Sequence, residues 1–368
     1  MTLSKRPFIK PSFFVVCGLL FLGMVLAVAM LPYGQVRLTY DSHDILRASE
    51  NLHTYLRGRN PDGHSYLVRA PLHPFLLSFF RDKLLAFWWI NILSLAGSLF
   101  LVFKICRNVA LSVTSSVGVM IVTGAFVPWL LNFQFAWTEP LFIMLILLLC
   151  YALQNNGSPG WVLVICVSLF MVRKSGLFFF AGVAMVYVLD RKLLYAVVMA
   201  LVGAVIFAAW EWLEFSFAST GFFPDWLPKL ESYSRIYYLE AVTSWFLPLR
   251  IPLLFRSIVI LVAVTAAFAL FRSEIFFVSR QRQNLVLLVL GATYSLILIS
   301  FRGVSEYEDA ERYLSILVPL WFPWAASIAV RVLQNGSRRA GIFIFGSLAL
   351  WLLYIFLRLV HYLFWSVV

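Results

Sequence analysis

Charged residues are scarce in this sequence. Only 12% of the 368 residues are charged, whereas 62% are hydrophobic and the mean hydropathy is +0.89. This balance excludes an ordinary water-soluble domain, in which about a quarter of the residues are charged. The four cysteines all lie within apolar segments, which excludes a disulfide framework and a CxxC metal site. The sequence also lacks a GxxxxGK[ST] motif, which counts against an ATP-driven pump.

Long hydrophobic runs recur along the whole chain instead, and about 20 apolar residues suffice for a helix to cross a hydrocarbon core of ~30 Å. The first run is too long for a signal peptide and lacks a small-residue cleavage site, so it is predicted to be an anchor. We predict an all-α, polytopic membrane protein, in which residues 1–368 form a single transmembrane domain without a soluble domain. About 11 transmembrane helices are expected, at residues 12–32, 84–105, 109–130, 138–153, 160–172, 175–189, 193–213, 252–272, 284–301, 313–333 and 341–364.

The basic residues predict how the chain is oriented, because Lys and Arg are enriched in short cytoplasmic loops. With a cytoplasmic N-terminus, the inner loops carry 13 basic residues and two acids, and the other 15 of the 17 acids face outward. The pI of 9.7 therefore indicates topology and not nucleic-acid binding. The spans at 160–172 and 175–189 are short, and a single broken helix there would invert every later loop. We predict two spans that meet at Arg173 and Lys174, in the inner membrane of the cell.

Two long outer loops are expected, at residues 34–83 and 214–251. In the first, Ser42 to Leu56 predicts an amphipathic helix, and Pro71 to Phe80 predicts a short helix on the membrane surface. Acids gather at the outer ends of the spans, and acids at membrane depth are costly and usually functional. Most are expected to be solvated surface charges, but Glu139 and the Arg173–Lys174 pair are enclosed by apolar sequence. Together they predict a polar pocket that opens outward.

Four segments carry a resemblance to a known family. They are TYDSHDILRASENL with YLVRAPLHPFLLSFF in the first outer loop, TEPLFIMLILLLCYAL from Thr138, MVRKSGLFFF from Met171, and ERYLSILVPL from Glu311. In this order and spacing they resemble the GT-C superfamily of membrane glycosyltransferases, which includes the protein-mannosyltransferase and aminoarabinose-transferase-like enzymes. Ser175 stands where the family often has Glu, and Ala70 replaces a Pro.

The resemblance implies transfer of a sugar from a polyprenyl-phosphate donor to a hydroxyl acceptor on the outer face. The implied acceptor is a glycan, a lipid or a protein. This chain itself is expected to contact membrane lipid and not to bind nucleic acid. Asp41 matches the position of the general base, with Asp44 as the second candidate. The implied substrate-binding residues are Glu139, Arg69, His73, Arg173, Lys174, Arg312 and Tyr313, among which the arginines suit the phosphate.

Other interpretations remain open at this point. Asp41 also suits the N-cap of a helix that starts near Ser42, and Glu139 suits the first turn of its span. His43, His53, His64 and His73, with Asp41 and Asp44, are possible ligands of a divalent metal, although their spacing is not compact. A flippase of lipid-linked glycan, or a non-catalytic membrane subunit that retains the fold, also accounts for the composition.

Overall fold

Helices account for nearly all of the described chain. The computed structural model describes residues 38–50, 70–217, 235–301, 304, 307–335 and 338–365. Its helices are α1 (Tyr40–Glu50), α2 (Leu72–Ser78), α3 (Lys83–Asn108), α4 (Val113–Ala125), α5 (Val127–Leu131), α6 (Glu139–Gln154), α7 (Pro159–Val172), α8 (Phe178–Leu189), α9 (Leu193–Phe217), α10 (Ile236–Ser244), α11 (Leu253–Ser279), α12 (Arg282–Phe301), α13 (Tyr307–Ser315), α14 (Val318–Asn335) and α15 (Arg338–Trp365). A short 3-10 turn, Lys174–Leu177, joins α7 to α8. The predicted all-α fold is confirmed.

The helices account for every predicted span on the described residues, whereas the predicted span at 12–32 lies outside them. Among the described residues, four helices are long and apolar enough to cross a membrane by themselves, and a fifth span is obtained if the bent pair α13 and α14 counts as one. The other predicted spans fall on apolar helices of 10–17 residues, apart from the last, which falls on α15, where Gly346–Arg358 is the apolar part. The 26 residues of α3 extend for about 39 Å, which exceeds the hydrocarbon core. The chain is a multi-pass membrane protein.

Two of the predicted spans were wrong in detail, and proline explains both. The span at 109–130 begins only at Val113 and breaks at Phe126, because Pro128 cannot continue the backbone ladder from α4. The span at 313–333 is also divided: α13 ends at Ser315, and α14 begins at Val318 after a bend of 56°. Pro319 follows this second break and has no N–H to donate back to Ser315.

The ends of α6, α7 and α8 show how the chain reverses at Arg173. Arg282 holds the far ends of α6 and α8 together, since its guanidinium donates to Leu153 O at 2.9 Å and to Asp190 Oδ2 at 2.7 Å. At the near end, Arg173 forms a salt bridge with Glu139, the first residue of α6. Helices α7 and α8 therefore run in opposite directions between the same two ends. This geometry corresponds to the two predicted spans and not to one broken helix.

Both helices predicted within residues 34–83 are found on the described residues. Helix α1 covers Tyr40–Glu50, so residues 51–56 of the predicted amphipathic helix lie outside the described chain. Helix α2 confirms that the second segment is helical, with Leu77 buried on one side and Phe75 and Phe79 exposed on the other, and its place on the membrane surface stays a prediction. Within the second loop, at 214–251, the structure describes the end of α9 and the short α10, and residues 218–234 lie outside it.

A continuous apolar core lies beneath the end of the bundle at which Glu139 is found. Phe142 of α6, Phe179 of α8 and Tyr294 of α12 are fully buried there, and the rings of Phe179 and Tyr294 stack with centroids 5.2 Å apart. This closely packed core holds the first turn of α6 in a fixed position. The polar residues at this end are consequently placed on rigid helices.

Candidate active site

Glu139 lies between two arginines that come from distant parts of the chain. Its Oε1 atom forms a salt bridge with Nη1 of Arg173 and lies 3.0 Å from Nε of Arg312. The Glu139 side chain is only 2% exposed, and each arginine side chain is 12% exposed. A buried carboxylate is tolerated only when opposite charges compensate it, and two guanidinium groups do so here. This carboxylate therefore holds the two arginines side by side.

Asp41 completes the group, which we call the Glu139 cluster: Asp41, Glu139, Arg173 and Arg312. The Oδ2 atom of Asp41 lies 3.4 Å from Nη2 of Arg312, and the Asp41 side chain is 30% exposed. Asp309, one turn before Arg312 on α13, adds a peripheral contact at 3.5 Å and is 39% exposed. Among the acids in contact with Arg312, Glu139 is enclosed, whereas Asp41 and Asp309 are partly exposed.

Aromatic rings line both arginines. The guanidinium of Arg312 lies 4.4 Å from the ring centroid of Trp137 and 4.7 Å from that of Tyr313. Arg173 lies 5.3 Å from the Tyr313 ring and 5.8 Å from the Phe142 ring. These cation–π contacts stabilise each planar group by its faces and leave its edges for hydrogen bonds. Arg312 uses one such edge to donate to the Tyr313 hydroxyl at 2.8 Å.

The first turn of α1 is tied to the same aromatic group. Thr39 precedes the helix, and its backbone N–H donates to the Ser42 hydroxyl at 3.0 Å, as in a capping box. The Trp137 indole N–H donates to the Thr39 hydroxyl at 2.8 Å. Asp41 itself is the second residue of α1, so the alternative interpretation of Asp41 as the N-cap was wrong. Trp137 thus contacts both Arg312 and the start of the helix that carries Asp41.

The turn that carries Arg173 depends on a glycine. Arg173 is extended, with φ −150° and ψ 137°, and the 3-10 turn that follows folds back on the end of α7. A Cβ atom on Gly176 would overlap the carbonyl group of Leu169 and the backbone nitrogen of Phe170. Only glycine permits this approach of two backbone segments. Gly176 is therefore required locally to return the chain at Arg173.

Two other predicted site residues that the structure describes, Asp44 and Lys174, do not belong to the Glu139 cluster. Asp44 lies half-buried on α1, one turn beyond Asp41, and the ion pairs described above use Asp41. Lys174 points away from the cluster toward α9, with its ammonium 5.5 Å from the Trp210 ring centroid. Arg69 is outside the described residues.

His73 lies in the interior and not at an open surface. It is fully buried against Phe87, with ring centroids 4.9 Å apart, and neither ring nitrogen has a hydrogen-bond partner among the described residues. Burial lowers the pKa of His73 to about 4, although the nearby Glu139 carboxylate opposes this shift. The imidazole is consequently neutral at pH 7 and packs behind the Glu139 cluster.

The proposed histidine metal site finds no support in the described part of the chain. No group of three His, Cys, Asp or Glu side chains there is close enough to hold a metal ion. His43 is exposed on α1, while His53 and His64 lie outside the described residues. Metal binding within residues 34–83 stays a prediction.

Sequence reasoning missed a second polar network, which we call the Arg358 network: Ser244, Tyr307, Glu311 and Arg358. Nη2 of Arg358 donates to both carboxylate oxygens of Glu311, at 2.7 and 3.0 Å. The Tyr307 hydroxyl donates to Glu311 at 2.8 Å and lies 2.6 Å from the Ser244 hydroxyl. Two signals in the sequence point to it: the lone arginine within the last apolar span, and the four-residue spacing of Tyr307 and Glu311.

Comparisons with known proteins give a similarity of structure only. No protein-family model matches the sequence, and no curated protein matches it significantly. ArnT from Cupriavidus metallidurans bound to undecaprenyl phosphate is similar with a TM-score of 0.49 and 13% identity, over 87% of this chain and 60% of that chain. ArnT from the same organism in the apo state gives a TM-score of 0.49 and 14% identity, over 87% and 59%. This chain spans about three fifths of the length of the ArnT chains.

Proposed function

We propose that this chain is a membrane glycosyltransferase of the GT-C type. It transfers a sugar from a polyprenyl-phosphate donor to a hydroxyl of a glycan, lipid or protein acceptor at the outer face of the inner membrane. One observation carries the proposal. The four sequence segments that resemble the family each contribute one charged residue to the Glu139 cluster, namely Asp41, Glu139, Arg173 and Arg312. Segments so far apart in sequence have no local reason to converge.

Asp41 is the general base in this proposal. The acceptor oxygen attacks the anomeric carbon and forms the new C–O bond, while its proton passes to a carboxylate within hydrogen-bond reach. Asp41 is the more suitable acid, since its side chain is 30% exposed and that of Glu139 is 2% exposed. Glu139 is held between two arginines and instead positions them.

Arg312 and Arg173 stabilise the leaving group. The bond from the anomeric carbon to the phosphate oxygen breaks, and the phosphate leaves with the electron pair and additional negative charge. Two guanidinium groups fixed side by side suit this charge, because arginine presents donors in a planar fork that matches phosphate oxygens. Tyr313, whose hydroxyl accepts from Arg312, holds that fork in orientation.

The contact between Asp41 and Arg312 couples the two events. In the resting site, the Asp41 carboxylate competes for Arg312 at 3.4 Å. Once Asp41 has taken the acceptor proton, it is neutral and no longer competes. Arg312 is then available to the phosphate at the moment when the phosphate acquires charge. This order follows from electrostatics alone, since the attraction between unit charges a few ångströms apart is strong in a partly buried site.

The test compares Asp41→Asn with Asp44→Asn, a matched control on the same helix. Each variant is expressed in a strain that lacks this protein, and the envelope glycans are analysed by mass spectrometry. We expect one sugar-bearing species to be lost in the deletion strain, restored by the wild type and by Asp44→Asn, and absent with Asp41→Asn. Loss of a positioned base costs about 10²- to 10⁴-fold in rate.

Two results would contradict the proposal. One is full restoration by Asp41→Asn at equal membrane abundance. The other is a purified protein that moves a lipid-linked sugar across vesicles without forming a glycosidic bond, which would indicate the flippase alternative. Purified wild-type protein, incubated with the lipid fraction of the deletion strain, distinguishes these outcomes because only a transferase yields free polyprenyl phosphate.

A further inference from the structure

Helix α13 presents two opposite polar faces. Successive residues of a helix are rotated by about 100°, so residues three or four apart lie on the same side. Asp309, Arg312 and Tyr313 face the Glu139 cluster. Tyr307 and Glu311 face the other way, into the Arg358 network. One helix of nine residues therefore connects two groups of charges.

The rotation of α13 about its own axis is not set by its neighbour in sequence. The helix is separated from α14 by a bend of 56°, so no continuous backbone ladder fixes the direction in which Arg312 points. Contacts with other helices must supply that constraint. The Arg358 network supplies one, because Nη2 of Arg358 donates to both oxygens of the nearly enclosed Glu311 carboxylate, and hydrogen bonds between charged groups are stronger than those between neutral groups.

The rest of the network ties this anchor to two further helices. The Ser244 hydroxyl of α10 contacts both Tyr307 and Glu311, at 2.6 and 3.3 Å. The Tyr354 hydroxyl of α15 donates to the backbone oxygen of Ser244 at 2.8 Å. Glu311 is only 9% exposed, so its charge would be costly without Arg358. The network is thus a buried junction of α10, α13 and α15.

We propose that Arg358 is a positioning residue for transfer: through Glu311 it fixes the rotation of α13 and so holds Arg312 between Asp41 and Glu139. This inference rests on the proposed function and assigns a role to a residue that lies outside its site. Displacement of Arg312 by about 1 Å would be expected to slow the reaction on the order of 100-fold. Substrate contacts stay in place, because Arg358 touches none of the Glu139 cluster among the described residues.

The test measures the rate of transfer by purified protein in nanodiscs. The donor probe is the lipid fraction extracted from the deletion strain, and the acceptor probe is the glycan fraction of the same strain. The variants are Arg358→Lys, which keeps the charge but replaces the planar guanidinium with a shorter ammonium group, and Arg358→Met/Glu311→Gln, which removes both charges together. The control is Arg282→Met, which removes another ion pair between helices, formed by Nε and Nη2 of Arg282 with Asp190 at the opposite end of the bundle.

We expect the double variant to reduce the maximal rate by about 10- to 100-fold, with little change in the donor concentration at half-maximal rate. The maximal rate of Arg358→Lys should lie between those of the double variant and the wild type. A further expectation separates positioning from general loss of structure. In an Arg312→Lys background the double variant should have little additional effect, because its action passes through Arg312. Arg282→Met should lower the melting temperature and act independently of Arg312→Lys.

The inference is overturned if the maximal rate of the double variant is as high as that of Arg282→Met. It is also overturned if the fold loss in rate caused by the double variant multiplies with the fold loss caused by Arg312→Lys. The failure of the proposed function gives a different result, in which the wild type and every variant lack transfer. Since Arg358→Lys retains the buried charge pair, it remains informative even if the double variant does not fold.

Discussion

The Nε atom of Arg312 lies 3.0 Å from Oε1 of Glu139, and the carboxylate involved is almost fully enclosed. Substitution of Glu139 by Gln would keep the volume and remove the compensating charge for both Arg173 and Arg312. Breaking a buried ion pair from one side costs about 3–5 kcal/mol of unfolding free energy. We expect Glu139→Gln to lower the melting temperature in detergent, while Glu50→Gln on the exposed side of α1 does not. Equal melting temperatures for the two variants would contradict the role assigned to Glu139.

The backbone reversal after Arg173 predicts that Gly176→Ala is destabilising. The added Cβ has no space against the Leu169 carbonyl, so the turn must open and Arg173 must move away from Glu139. We expect a loss of about 1–3 kcal/mol, as for other overpacked sites. Gly160→Ala is the control within the preceding α7, since a Cβ there meets no atom within 4 Å. Thermal unfolding should distinguish them, and a Gly176→Ala protein with unchanged stability would show that the turn is not constrained.

The buried imidazole of His73 predicts a loss of stability in acid. Its pKa is about 4 in the folded protein, compared with 6.5 for an unperturbed histidine. The unfolded chain therefore binds the proton more readily, and stability falls as the pH decreases from about 6.5 toward 4. The difference at pH 5 is about 2 kcal/mol. His73→Phe should abolish this part of the pH dependence of the melting temperature, whereas substitution of the exposed His43 by Gln should leave it in place. A slope that survives in His73→Phe would assign it to another group.

The indole of Trp137 predicts a link between Asp41 and Arg312. Trp137→Phe keeps an aromatic face for Arg312 but removes the hydrogen bond to Thr39, which is 2.8 Å long. We expect a stability loss of about 1 kcal/mol and reduced transfer, because the start of α1 is no longer held beside the arginine. Trp161→Phe, at a half-exposed position on α7, is the control for the change of side chain. Wild-type transfer by Trp137→Phe would contradict the link.

The candidate site was predictable from the sequence in its composition but not in its arrangement. Glu139 and Arg173 stand out because apolar residues enclose them, and Asp41 and Arg312 because of their motifs. What the pattern did not indicate is that Glu139 is sequestered while Asp41 stays partly open, since that difference depends on how four distant segments pack. His73 shows the same limit. Its motif suggested contact with substrate, but the structure buries it against Phe87.

The low content of charge determined by itself that this chain is an all-helical, multi-pass membrane protein. Backbone hydrogen bonds cannot be left unpaired in lipid, so long apolar runs must become helices whatever their neighbours are. Tertiary structure alone decided which charges meet. Ion pairing depends on distances of a few ångströms between helices, and the same helix α13 sends Arg312 to one partner and Glu311 to another. Local sequence periodicity fixes the angle between those two side chains, but only the packed bundle provides the residues that they contact.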